Sequence, residues 1–224
     1  MIVNQLVVDG GMQRRASPGD LIAGAETFAA LATAGAGTLT AALLVAGLIT
    51  RTGPIAGYID TTDTATNIIN AIVGNYNYTT AGTVGKPSGN AVQPGTTFRI
   101  SFINTVAYLM TLAGGTGVTL GSNVNCAASS VKDYLITVTN GTPQQVFAAT
   151  TTDGSAVVTG LNMFQTSQLS IGQLVTGSGV SGNIISITPG QSVTLSANAS
   201  ATASNVAITF SPTVRIDSLG AKLL

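Results

Sequence analysis

The chain has 224 residues, enough for one large or two small domains, and its eight basic and eight acidic residues cancel to a formal net charge of zero. The charged fraction is 7%, against roughly 25% in an ordinary soluble domain, and the few Lys and Arg are scattered, which excludes the basic surface that neutralises nucleic-acid phosphates. There is no histidine and a single cysteine, Cys126, so the usual general base, the Ser-His and Cys-His nucleophile systems, most transition-metal sites and any intrachain disulfide are excluded.

The N-terminal stretch Met1–Gln5 lacks the basic region and apolar core of a secretory signal, so the chain is expected to be made in the cytoplasm and unprocessed. Residues 1–37, with Gly10-Gly11, Ser17-Pro18-Gly19 and an Ala-rich run, read as an extended arm carrying a short strand at Leu6–Val8. Residues 38–52 (TLTAALLVAGLITRT) fit helix by length and alanine, and fit a buried strand by Val45, Ile49 and the threonines. Both readings stay open on the residues alone; in the strand reading Gly47 sits at a bulge, and Gly53-Pro54 then breaks the segment. The apolar run from Ala41 to Ile49 is far below the roughly 20 residues of a membrane span.

Residues 61–74 (TTDTATNIINAIVG) carry the clearest helix signal: Thr62 or Asp63 to cap the start, Ile68, Ile69 and Ile72 at helical spacing, and Gly74 at the end. A Tyr-, Thr- and Gly-rich loop follows to Pro94. In residues 95–120, Phe98, Ile100 and Phe102 alternate with Thr97, Arg99 and Ser101, which predicts a half-buried strand. Asn104-Thr105 interrupts it, the alternation resumes at Tyr108, Met110 and Leu112, and Gly114-Gly115 turns the chain into Val118-Thr119-Leu120. Residues 130–140 (SVKDYLITVTN) alternate again, and Asn140-Gly141 supplies turn chemistry before Gln145-Val146-Phe147. From Gly154 to Val214 there is no charged residue, and short strand candidates at 156–159, 174–176, 183–187, 192–195 and 206–210 are separated by Gly, Ser and Asn. That spacing predicts a small all-β module.

Among candidate chemical groups, Asp60 and Asp63 are the closest acidic pair. With Asp133, Asp153 and Glu26 they could form a carboxylate dyad or a calcium site. Capping and a favourable dipole interaction at the start of a helix explain both more simply. Cys126 reads as a small buried apolar side chain rather than a reactive thiol. Asn77, Asn140 and Asn198 each begin a glycosylation triplet, a pattern frequent by chance.

Residues 35–42 (GAGTLTAA) through Arg51-Thr52-Gly53, then 60–66 (DTTDTAT), then 102–105 (FINT) with 112–120 (LAGGTGVTL), together resemble a group of tailed-bacteriophage virion proteins, small β-rich capsid decoration or head-associated proteins. The resemblance covers roughly residues 25–147, and it implies the strand rather than the helix over 38–52. Residues 169–180 (LSIGQLVTGSGV), with 184–187 and 192–195, are similar to a β module of phage fibre and surface proteins. The expected fold is all-β: an arm over 1–37, an N-terminal β-sandwich or jelly-roll-like domain with one short helix over 38–150, and a small C-terminal β module over 151–224. The resemblance implies a non-enzymatic, cofactor-free protein on the virion capsid surface. Its partners would be the major capsid protein and itself, as a homotrimer, with no nucleic acid or membrane. Arg14, Arg15 and Arg99 are the expected subunit contacts. The alternative it leaves is a tail-fibre or adhesin module binding host glycan.

Overall fold

A computed structural model describes residues 27–75 and 92–223. Within them the chain forms two compact units, the first taking 27–75, 93–138 and 214–223, the second residue 92 and 139–213. Composition puts the boundary near residue 150; the compact units put it at Val138, and the chain re-enters the first unit at Val214. The expected Leu6–Val8 strand, Arg14, Arg15, Glu26, Asn77 and most of the loop before Pro94 lie outside the described residues.

The first unit contains β1 (Thr27–Leu31), β2 (Gly37–Leu39), α1 (Ala41–Ala46), β3 (Gly47–Arg51), β4 (Tyr58–Thr62), α2 (Ala65–Asn75), β5 (Thr97–Asn104), β6 (Met110–Ala113), β7 (Val118–Leu120) and β8 (Ser130–Asn140). Strands β1, β3 and β5 pair in parallel, and so do β2, β4 and β6. The chain therefore makes three rungs, each giving one strand to each of two sheets. A jelly roll is antiparallel, so the expected two-sheet layout is present with the opposite pairing along these rungs. The physical reason is the path: every return to a sheet passes first through the other sheet and, in the first two rungs, through a helix, a crossover that only parallel strands require. Antiparallel pairing enters at β5–β8, where Phe98 faces Ile136 and Ile100 faces Tyr134. Beyond β8 the larger sheet continues through a last strand, β15 (Thr213–Leu223), to β7.

Alternation explains the core. Phe98, Ile100 and Phe102 on β5, and Tyr134, Ile136 and Val138 on β8, are all buried, as the sequence pattern predicts. The strand expected over 38–52 is corrected to strand, helix and strand. Thr40 caps α1 by accepting the Leu43 N–H at 3.3 Å, Ala41, Leu44 and Val45 turn inward, and Gly47 closes the helix at φ 87°, a left-handed conformation that glycine adopts without strain. Gly47 is thus a helix stop and not a bulge. The α2 helix forms where expected, with Ala65, Ile68, Ile69 and Ile72 buried at positions i, i+3, i+4 and i+7. Its cap is Thr64, whose hydroxyl accepts the Asn67 N–H at 3.2 Å.

The second unit contains β9 (Gln145–Thr151), β10 (Val157–Thr159), α3 (Met163–Ser167), β11 (Leu174–Gly177), β12 (Val180–Thr188), β13 (Ser192–Leu195) and β14 (Ala203–Ser211). They close into a six-stranded antiparallel barrel in the order β10-β13-β12-β11-β14-β9. Its core includes Val158, Leu161, Val175, Ile184, Val193, Ile208 and Phe210, with Phe147 packed against Phe210 at 5.9 Å between ring centroids. The barrel closes where β10 pairs with β9 at Thr159 and Thr150, and apart from the exposed Asp153 in the connection between those strands it is built without charged residues. All five predicted strand segments of this region overlap β10 to β14, the first beginning one residue before β10. Helix α3 was not predicted, although Asn162 and Gln165 form a capping box across its first turn.

Candidate functional site

The most polar buried feature of the first unit is centred on Arg51, the last residue of β3, which is completely buried. Its Nε donates to Asp60 Oδ2 at 2.9 Å and its Nη2 to Asp60 Oδ1 at 3.1 Å, a two-pronged ion pair between the sheets. Its Nη1 reaches the carbonyls of Leu31 (3.1 Å), Thr33 (2.7 Å) and Thr52 (3.0 Å), and its Nη2 also donates to the carbonyl of Gly35. Asp60 in turn accepts the Gly37 N–H at 2.9 Å. One guanidinium therefore gathers the whole connection between β1 and β2 and ties the first rung to the second.

The network extends into the third rung. The Arg51 guanidinium lies 4.7 Å from the Tyr58 ring centroid, and Tyr58 donates its hydroxyl to Asn104 Oδ1 at 2.9 Å. Asn104 Nδ2 donates to the carbonyls of Tyr108 and Ala127, both at 2.8 Å. Burial, reinforced by the Asp60 charge and opposed by Arg51, pushes the Tyr58 phenol up, which keeps it a proton donor to Asn104. Arg51 spends each of its nitrogens on these acceptors, so the cluster holds the rungs together and offers no free donor to a ligand.

The two carboxylates singled out by sequence serve different purposes. Asp60 does not cap a helix: it sits in β4 as the fully buried partner of Arg51. Asp63 does stand at the start of α2, where it accepts from Thr64 N (2.8 Å), Asn67 Nδ2 (2.7 Å) and, from the preceding helix, Ala41 N (3.0 Å). Burial works to raise its carboxyl pKa, but these three bonds together hold it below the usual carboxylate value. Asp133 is engaged on the outer face of β8 by Ser101 (2.7 Å) and Arg99 (3.4 Å). Among the described residues, no three His, Cys, Asp or Glu side chains converge as a metal site. No described helix is long and apolar enough to cross a membrane.

Of the residues proposed as subunit contacts, Arg99 is the one described. It projects from β5 with its side chain two-thirds exposed, and the Asp133 pair is its partner. Cys126 is buried beside Ser130, and burial pushes its thiol up. Asn140 is buried too, donating to Ser170 Oγ and the Ile171 carbonyl at 2.8 Å each, so its amide is not available to a glycan. Of the aromatic residues that could mark a sugar groove, Tyr76 and Tyr78 lie outside the described residues. Phe164 stands 73% exposed on α3 beside Met163.

Nothing in the local sequence pattern announces the Arg51–Asp60 pair. The available signal is that Arg51 is the only charge between Glu26 and Asp60, at the end of an apolar segment. In comparisons with known proteins, the chain matches no protein-family model, no curated protein and no solved structure.

Proposed function

We propose that this chain is a structural virion protein that binds the outer surface of an assembled bacteriophage capsid and stabilises it. The observation that carries this reading is the disposition of charge. Arg51 and Asp60 are spent inside the first unit, and the barrel presents a hydroxyl- and amide-covered exterior with no charge from Gly154 to Val214. Such a surface has little charge repulsion to oppose packing against a protein lattice. The sequence resemblance to head-associated proteins points the same way. The mechanism is mass action: a subunit that binds only the assembled shell stabilises that state. The partners in this reading are the major capsid protein and further copies of the chain as a homotrimer, on the virion surface after synthesis in the host cytoplasm. No catalytic step, cofactor, nucleic acid or membrane enters it.

Mixing the purified protein with undecorated heads tests this. Co-sedimentation with heads and a higher temperature of head disassembly are expected. Failure to bind heads, together with binding to host cells, would overturn it. The exposed Phe164 supports a second reading, a tail-fibre module that stacks the ring on host glycan. That reading requires cell binding that is lost in Phe164→Ala.

A further inference from the structure

The buried side chains of β8 are Ser130, Lys132, Tyr134, Ile136 and Val138, so Lys132 stands where alternation calls for an apolar residue, and it is 7% exposed. Lysine is almost never buried to that degree unless it is paired. Among the described residues, no carboxylate and no hydrogen-bond acceptor partners its ammonium.

Beside it on β5 stands a carboxamide. Phe102 faces Lys132 and Asn104 faces Ser130, so Asn104 and Lys132 are diagonal neighbours on one face of an antiparallel pair. Such neighbours lie about 7–8 Å apart at the backbone, within reach of a long side chain. Asn104 is completely buried, and its Oδ1 accepts the Tyr58 hydroxyl at 2.9 Å and the Val106 N–H at 3.3 Å. Two donors on one amide oxygen draw electrons from Cγ and are placed to hold the charge of a tetrahedral intermediate. Cys126 ties the two residues together. Burial pushes its thiol up while Ser130 and the Lys132 charge oppose the rise, which puts the ammonium within electrostatic reach, and the Cys126 carbonyl is 3.5 Å from Asn104 Nδ2.

We propose that Lys132 and Asn104 join in an intramolecular isopeptide bond linking β5 to β8. The Lys132 amine, its proton passed to water, attacks Asn104 Cγ. The bond from Lys132 Nζ to Cγ forms, Tyr58 and Val106 hold the oxygen, and the bond from Cγ to Nδ2 breaks. Ammonia leaves and takes up a proton, so a lysine ammonium and a carboxamide become a secondary amide and an ammonium ion. The balance needs no oxidant and no second molecule. A covalent cross-link is thereby open to a chain whose single cysteine denies it an intrachain disulfide. The inference does not depend on the capsid reading.

Mass spectrometry of the full chain, folded and then denatured, decides it. The wild type is expected to weigh one ammonia less than its sequence, and proteolysis to release a branched peptide joining Asn104 to Lys132. Lys132→Arg, which keeps the charge and removes the nucleophile, is expected to recover the full sequence mass. Tyr58→Phe, which removes one donor from the reacting oxygen, is expected to slow the loss of ammonia by about a hundredfold. A folded wild type that keeps its full sequence mass on prolonged incubation overturns the inference. Ammonia loss that persists in Lys132→Arg overturns it as well, because an asparagine closing on its own backbone loses the same mass.

Discussion

Arg51 satisfies four main-chain carbonyls as well as one carboxylate, and this separates it from an ordinary buried ion pair. Removing one partner of a buried pair costs about 3–5 kcal/mol, and replacing both with apolar side chains is often neutral. Here the second rule fails. Arg51→Met should lower unfolding free energy by about 3–5 kcal/mol in urea titration. The double variant Arg51→Met with Asp60→Leu should stay destabilised, because the carbonyls of Leu31, Thr33, Gly35 and Thr52 lose their donor and each orphaned group costs about 1–3 kcal/mol. A neutral double variant would show that water reaches those carbonyls.

Asp63 makes a separate prediction in pH. Its folded-state pKa lies below the unfolded value near 3.9, so the proton binds the unfolded chain more readily. The stability it contributes is fully present above about pH 3.9 and is lost as pH falls through the folded value. Thermal melting of Asp63→Asn should therefore show a shallower acid limb than the wild type and a lower melting temperature at neutral pH. Cys126 is predicted to ignore an aromatic disulfide reagent in the native protein and to react fully once denaturant exposes it, as burial of the thiol requires.

At the scale of the element, the turn after β6 is packed closely against the second rung. A Cβ on Gly115 would come within 2.5 Å of the Asp63 carbonyl oxygen and 2.6 Å of that of Thr62, where β4 passes into α2. Backbone cannot yield there as a flexible side chain would. Gly115→Ala should lower stability by roughly 1–3 kcal/mol, the range of an overpacked site, while Gly57→Ala, whose Cβ would meet only one atom at 4.0 Å, serves as the near-neutral control.

These elements show how far a sequence can be read. The β5 and β8 faces were legible because alternation reports burial on one side of a strand, whatever its partner is. The barrel strands were legible for the same reason, aided by turn residues between them. Parallel rung pairing was not, since alternation is silent on the neighbour's direction and the steps between partners are unequal. Gly47 follows Thr27 by 20 residues, but Phe102 follows Ile49 by 53. Helix α1 was missed because six residues give too short a window for a period of 3.6 to stand out against β-branched neighbours. Asp60 was misplaced because its role depends on Arg51, a contact between two sheets that no local window contains.

At the scale of the molecule, the two units differ in how they depend on the ends of the chain. The barrel closes on itself and has its own core, so an excised fragment of residues 142–212 should melt cooperatively by circular dichroism. The first unit depends on the far C-terminus, because β15 lies between β8 and β7 in the larger sheet and Val214 and Ile216 are fully buried. Truncation after residue 212 should therefore lower the first unit's melting temperature and release β7, although it removes only twelve residues.

Strands β8 and β15 are sheet neighbours, and the hydroxyls of Thr139 and Thr213, near their junctions with the barrel, are 2.8 Å apart. The barrel is thus spliced between two strands whose ends already meet, in the place where other proteins keep a tight turn. A domain put in its place would have to supply new partners for the buried Asn140, which donates to Ser170 and Ile171, and for Thr213, which donates to the Gly172 carbonyl. With those contacts kept, such a junction gives an engineer a port for splicing in a foreign domain.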